Sequence, residues 1–226
     1  MNEGYLEILN SISSSNPTPG GGSVAALTLA HAHSLSVMVS RLTVNSEKWI
    51  DGHTVANNLI SQSEDNISRC ITLANYDSRA FDGVMEAYRL PKDDEGSNVR
   101  SNAIRKATIK AAEAPLETMK FSLEFMNTLS DLSETCNANA LTDLASAAEL
   151  GFSACKMAEY NVRINIDHLS GDDIDYLKTA SDNLLQECNQ VMSEITQVYT
   201  NRLGWLIYGR FRPRNTQGIA KKNTPG

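Results

Sequence analysis

"ITLANYDSRAFDGVMEAYRLPK", residues 71–92, carries a single glycine, Gly83, before Pro91 stops it. Together with Ile67 just upstream, Ile71, Ala74, Phe81, Met85 and Tyr88 recur at the three- and four-residue spacing of one helix face. That stripe predicts the inward face of a long helix. Asp77 falls on it, four residues before Phe81, whereas Asp82, Glu86 and Arg89 fall on another face and read as solvated. A carboxylate among apolar neighbours has a raised pKa unless it is paired, the condition for acid–base work near neutral pH; a structural Asp bonded to a neighbouring helix is the competing reading.

The rest of the chain has the same texture. Between Ser23 and Thr200 there are only five glycines (52, 83, 96, 151, 171) and two prolines (91, 115), too few for the turns of a β-sandwich or barrel. Helices are expected near 3–12, 23–44, 54–90, 97–134, 139–166 and 172–200, with polar connections around Gly52, Gly96 and Gly171. No strand–helix alternation and no internal repeat appears, so the fold class is all-α, an antiparallel bundle of long helices. The third helix would be about 55 Å long at 1.5 Å per residue. Helices of that length in 226 residues leave apolar stripes uncovered, which predicts a homodimer or higher homo-oligomer.

Composition narrows the function classes. With 27 acidic against 20 basic residues the net charge is −7, unsuited to general nucleic-acid binding. Cys70, Cys136, Cys155 and Cys188 show no CxxC or metal-ligand spacing and read as reduced thiols of a cytoplasmic protein, without disulfides and without a metal. The first residues, "MNEGYLEILN", have neither a basic n-region nor an apolar h-region, and no run of about 18 apolar residues predicts a membrane span. From Ile195 onward there are six Lys or Arg and no acid. The chain is therefore divided into a helical domain, residues 1–199, and a basic C-terminal tail, residues 200–226, expected to be partly disordered.

Several further segments carry chemistry. In "NPTPGGGSVAALTLA", residues 16–30, two prolines stiffen the approach to Gly20, Gly21 and Gly22, and Ser23 stands as a good N-cap. The loop offers free backbone N–H groups at the positive end of a helix dipole, suited to an anion or carbonyl; a cap whose glycines only let helices cross tightly is the alternative. Pro91 leaves Lys92 near the end of its helix and free to reach a ligand carboxylate. On the helix after Asn139, a candidate cap, the residues Asp143, Ala147, Gly151, Ala154, Ala158, Asn161 and Asn165 share one small-residue face. Arg163 is explained by an i,i+4 pair with Glu159. Pro115 inside a helix frees the carbonyl of Ala111 and predicts a kink. His31 and His33, two apart, face different ways and cannot chelate one metal, while His53 and His168 fall in expected loops.

The runs "PTPGGGSVAAL", "MVSRLT", "AFDGVMEAYRLPK", "AAEAPL" and "NANALTD…NVRINI", in this order over about residues 1–199, resemble the cyclodeaminase/cyclohydrolase family. The resemblance implies a cyclodeaminase-like homo-oligomeric helical bundle in the cytoplasm, acting on 5-formimidoyl- or 5,10-methenyl-tetrahydrofolate, with tetrahydrofolate as the one-carbon carrier and no metal. It places Asp77 and Asp143 at acidic positions of the family's motifs, as candidate catalytic residues, with one of the two alternatively holding the amino-imino edge of the pterin. It also gives Gly20, Gly21, Gly22 and Ser23 to the folate site; Phe81 and Tyr88, which could stack on a pterin, Lys92 and Asn139 complete the expected substrate-binding set. Two departures stand out: Cys136, Asn137, Ala138 and Asn139 replace the family's usual Gly-Asn-Pro-Asn, and His31 and His33 replace small or aliphatic residues. A helical pterin- or anion-binding protein without catalysis is the competing reading, separable by folate binding without turnover; a purely structural oligomer would not bind folate at all.

Overall fold

The computed structural model describes residues 3–92 and 97–205. Seven α-helices and no strand occur among them: α1 (Glu3–Ile12), α2 (Gly21–Val44), α3 (His53–Ser61), α4 (Ser63–Tyr88), α5 (Ser97–Thr135), α6 (Leu141–Ile166) and α7 (Asp172–Leu203). Short 3-10 turns precede α3 and α6. The expected all-α bundle is thus the fold, with one boundary in a different place. The helix expected over 54–90 is two, broken at Gln62, which leaves helical dihedrals at φ −95° and ψ 2°. The hydroxyl of Ser61 takes the Asn58 carbonyl at 2.8 Å, and the Gln62 N–H reaches the same carbonyl at 3.2 Å. The Ser61 hydroxyl and the Gln62 N–H thus share one carbonyl at the break, where neither glycine nor proline stands.

Contacts at known registers give the helix directions. Arg69 meets Glu124 and Arg100 meets Tyr88, so α4 and α5 are antiparallel. The Asn137 N–H bonds Thr43 Oγ1 at 3.0 Å while Asn161 lies against Gly21, so α2 and α6 are antiparallel too. Arg105 pairs with Asp173 at 2.6 Å and Arg202 bonds the Cys136 carbonyl, so α5 and α7 run parallel. In the core, α6 packs on α2, α5 and α7. Its face of Ala147, Gly151, Ala154 and Ala158 is buried as expected. A Cβ at Gly151 would stand 2.7 Å from the Phe125 ring, so that glycine lets α5 lie close.

Pro115 sits inside α5 and leaves the Ala111 carbonyl without its helical partner. Asn165 of α6 supplies one: its Nδ2 donates to Ala111 O at 2.8 Å. The helix interruption is therefore bonded from across the bundle. Helix α2 is the one helix among the described residues long and apolar enough to cross a membrane, with a mean hydropathy of 1.3, although polar residues interrupt it. Of that stretch, 61% is buried against the other helices. All four cysteines are buried and free. Gly204, at φ +67°, ends α7, which runs to Leu203, just past the expected helix end at 200. The basic tail from residue 206 onward lies outside the described residues.

Candidate active site

Helix α2 begins at Gly21, with Gly20 as its N-cap, two residues earlier than the sequence suggested. Ser23 is therefore not the cap. It is fully buried in the first turn, and its hydroxyl donates across to α4, where Asp77 Oδ2 lies at 2.9 Å and the Ala74 carbonyl at 3.1 Å. Ser78 Oγ stands 2.9 Å from the same hydroxyl. The expectation that Ser23 contacts a substrate is corrected by this burial: Ser23 serves Asp77 instead. Gly22 is buried as well, and a Cβ there would stand 2.6 Å from Asp77 Cγ and closer still to Oδ1. The missing side chain at Gly22 is the space that the Asp77 carboxylate fills. Gly21 is exposed and Gly20 half-exposed, so their backbone remains open beside it.

Burial pushes Asp77 above the usual carboxylate range, and the hydroxyl and backbone N–H of Ser23 pull it partly back. Asp77 is half-buried, so it keeps contact with the outside. At 100° per residue, Phe81, Val84 and Tyr88 continue its side of α4 beyond the start of α2, their exposure rising from half-buried at Phe81 to exposed at Tyr88. Lys92 follows, also exposed. The guanidinium of Arg100 lies over the Tyr88 ring at 5.6 Å, so one face of that ring is already in use.

The expected stripe needs adjusting. Ala74 is buried and Ile67 and Phe81 half-buried, but Ile71, Met85 and Tyr88 are exposed. Cys70, Leu73, Ala74 and Ala87 are the buried residues of α4. Ile71 stands 100° round from Cys70 and falls off that line. The acidic residues read as solvated, Asp82 and Glu86, are exposed.

One chain does not bring Asp143 to Asp77. Asp143 opens α6, whereas Asn161, which touches Gly21, lies 18 residues further on, about 27 Å along the helix. Asn139 sits at the Asp143 end and is exposed. Asn139 does not cap α6, whose N-cap is Ala140 without a side-chain bond; Asn137 instead caps the 3-10 turn before it, its side chain accepting from the Asn139 N–H at 3.0 Å. Asp77, Gly20, Gly21, Gly22 and Phe81 therefore gather, Tyr88 and Lys92 extend from them, and Asp143 and Asn139 lie at the opposite end of the bundle. Asn161, which the sequence placed on the small-residue face of α6, and Ser78, which it did not single out, join the first group.

A second polar feature also escaped the sequence reading. His33, 3% exposed, stacks on Phe121 at 4.9 Å and tilts against Phe125 at 4.6 Å, and its Nε2 has no hydrogen-bond partner. Burial, with the Arg69 cation adding to it, lowers its pKa to about 4. It borders a cleft of about 440 Å³ at the α3–α4 break, lined also by Gln62, Asp65 and Glu124. No group of three His, Cys, Asp or Glu stands together as metal ligands among the described residues.

Residues 5–197 match the family model described as formiminotransferase-cyclodeaminase. Among characterised relatives, the methenyltetrahydrofolate cyclohydrolase of Methylorubrum extorquens is 32% identical over 166 residues, which is 73% of this chain and 79% of that protein. The formimidoyltransferase-cyclodeaminase of Mus musculus is 29% identical over 155 residues, 68% of this chain but only 29% of that longer protein. The crystal structure of formiminotetrahydrofolate cyclodeaminase from Thermotoga maritima superposes with a TM-score of 0.74 at 24% identity, covering 88% of this chain and 94% of that one, and so shares the fold.

Proposed function

Since the chain belongs to the formiminotransferase-cyclodeaminase family, we propose that it is a folate-dependent one-carbon enzyme that closes or opens the 5,10-methenyl ring of tetrahydrofolate, with Asp77 moving the proton. The observation that carries this reading is the seat of Asp77: a carboxyl raised by burial, bonded by Ser23, and opening toward Phe81 and the exposed backbone of Gly21.

A single carboxyl suffices in either direction, which matters because Asp143 is remote. In ring closure the folate N10 attacks the carbon of the protonated formimidoyl group, its proton passes to Asp77, and Asp77 returns that proton to the departing NH2, which leaves as ammonia when the carbon–nitrogen bond breaks and the methenyl cation forms. In ring opening, water attacks the methenyl carbon, Asp77 takes one proton from its oxygen and returns it to the ring nitrogen as that nitrogen's bond to the carbon breaks, and the second proton of the water is released to solvent, leaving a formyl group. Both sequences need a group that gains and loses a proton near neutral pH, as a raised carboxyl does. Phe81 offers its ring to the pterin, and Lys92, four residues past the end of α4, meets the carboxylates of the folate tail. Asp143 and Asn139 take no part in this assignment.

Self-association is part of the proposal. Leu6, Ile8 and Leu9 on α1, Met38 and Leu42 on α2, and Ile71 on α4 are exposed on the single chain, an apolar surface that a second copy would cover. Four free buried thiols support a cytoplasmic setting. The deciding experiment follows the absorbance of methenyltetrahydrofolate, both as it forms from the formimidoyl compound and as it is hydrolysed. Turnover in either assay supports the proposal and names the direction; saturable folate binding without turnover in both would replace it with a binding protein.

A further inference from the structure

A buried acid that must serve both charged and neutral needs a neighbour able to answer both states. As an anion, Asp77 wants a donor; as a neutral acid, its own O–H wants an acceptor. A hydroxyl is both, provided its single hydrogen has somewhere to go when it accepts. Ser23 meets that condition. Its oxygen lies 2.9 Å from Asp77 Oδ2, and the Ala74 carbonyl, 3.1 Å away, is a second acceptor for its hydrogen. Ser78, at 2.9 Å, can donate to the Ser23 oxygen when that hydrogen is given to Asp77.

We propose that Ser23 is a positioning residue for proton transfer, its hydroxyl rotating between the Asp77 carboxylate and the Ala74 carbonyl as Asp77 loses and gains its proton, with Ser78 supplying the compensating hydrogen bond. This rests on the reading of Asp77 as the proton-transfer group. With Asp77 ionised, the hydrogens run from Ser78 to Ser23 to Asp77. With Asp77 neutral, its O–H donates to Ser23 and the Ser23 hydrogen turns to Ala74. No buried group is stranded in either state, and no bond to carbon changes. Burial is the largest influence on Asp77 and the two groups of Ser23 oppose it; no ionised side chain of α2, α5 or α6 is among the influences, so Ser23 is the one neighbour that offsets burial. Full burial of Ser23 keeps water from substituting for it.

The test uses the full-length protein and reads Asp77 in two ways: the carboxyl titration by carbon-13 NMR, assigned by its loss in Asp77→Asn, and the pH profile of turnover. Removing the hydroxyl in Ser23→Ala strips the ionised form of a charge-assisted bond, so the Asp77 titration should move up by about one pH unit, the order of one such bond. The limb of the turnover profile due to Asp77 should move with it, with KM little changed, and Ser23→Thr should restore both. Should Ser23→Ala not fold, Ser78→Ala leaves Ser23 in place and should move the same titration in the same direction by less. A lowered melting temperature with the titration and the limb unmoved in the folded variants would overturn the proposal, because Ser23 would then only tie α2 to α4. If the titration moves while turnover and its profile do not, and Asp77→Asn is as active as the parent, Ser23 does control the carboxyl but the catalytic assignment of Asp77 is wrong.

Discussion

Asp77 costs the fold more as an anion than as a neutral acid, because burial outweighs the bonds from Ser23 and holds its pKa above the unfolded value. The native state therefore binds the proton more tightly, and this residue's contribution to stability is lost as pH rises through its native pKa. Asp77→Asn removes the charge and keeps the shape, so at neutral pH its melting temperature should equal or exceed the parent's while turnover falls by ~10²–10⁴-fold, the range for losing general acid–base catalysis. Asp82→Asn, on the exposed side of α4, should change neither. His33 has the opposite slope. Its pKa falls from 6.5 to about 4 on folding, so the unfolded chain takes up a proton that the native state refuses as pH drops through this window. Stability measured by urea unfolding should be lower at pH 4.5 than at pH 7.5 by about 2–3 kcal/mol on this account. His33→Leu should abolish that share of the loss and leave a shallower pH dependence.

At the scale of elements, Asn165 is the side chain that repairs α5 where Pro115 interrupts it. Asn165→Ala would leave the Ala111 carbonyl, on a buried residue, without that donor, and should lower stability by about 1–3 kcal/mol in chemical denaturation. The freed carbonyl was legible in the sequence because proline lacks an N–H; its partner was not, because Asn165 lies 54 residues away. The same division holds elsewhere. Helices were readable from apolar spacing and scarce glycine, and α6 showed its small-residue face directly. The break at Gln62 was hidden, since neither glycine nor proline marks it. For the site, Asp77 and the glycines were visible as separate oddities, yet nothing local tells that Gly22 is empty to seat Asp77. Likewise the acids at 77 and 143 were both candidates, Asp77 the first of the two, until helix directions set them at opposite ends. Ile71 was expected inside from the apolar spacing, whereas Cys70 takes the buried position.

For the whole molecule, apolar side chains exposed on α1, α2 and α4 predict a solution mass at least twice 24.7 kDa by light scattering at micromolar concentration. A monomeric mass would mean that these residues are covered in some other way. The seating of Asp77 beneath Gly22 also has a consequence in time. The hairpins α5–α6 and α6–α7 join neighbouring segments, whereas Ser23 and Asp77 are 54 residues apart and Gly21 must reach α6 near Asn161. Closing long loops is entropically dearer than closing short ones, so contacts of low contact order form early and the distant ones late. On dilution from denaturant, helical circular dichroism should therefore recover ahead of the upward displacement of the Asp77 titration, and competence for turnover should return with the latter. Simultaneous recovery of all three signals would show that the first stretch of chain docks as early as the hairpins behind it.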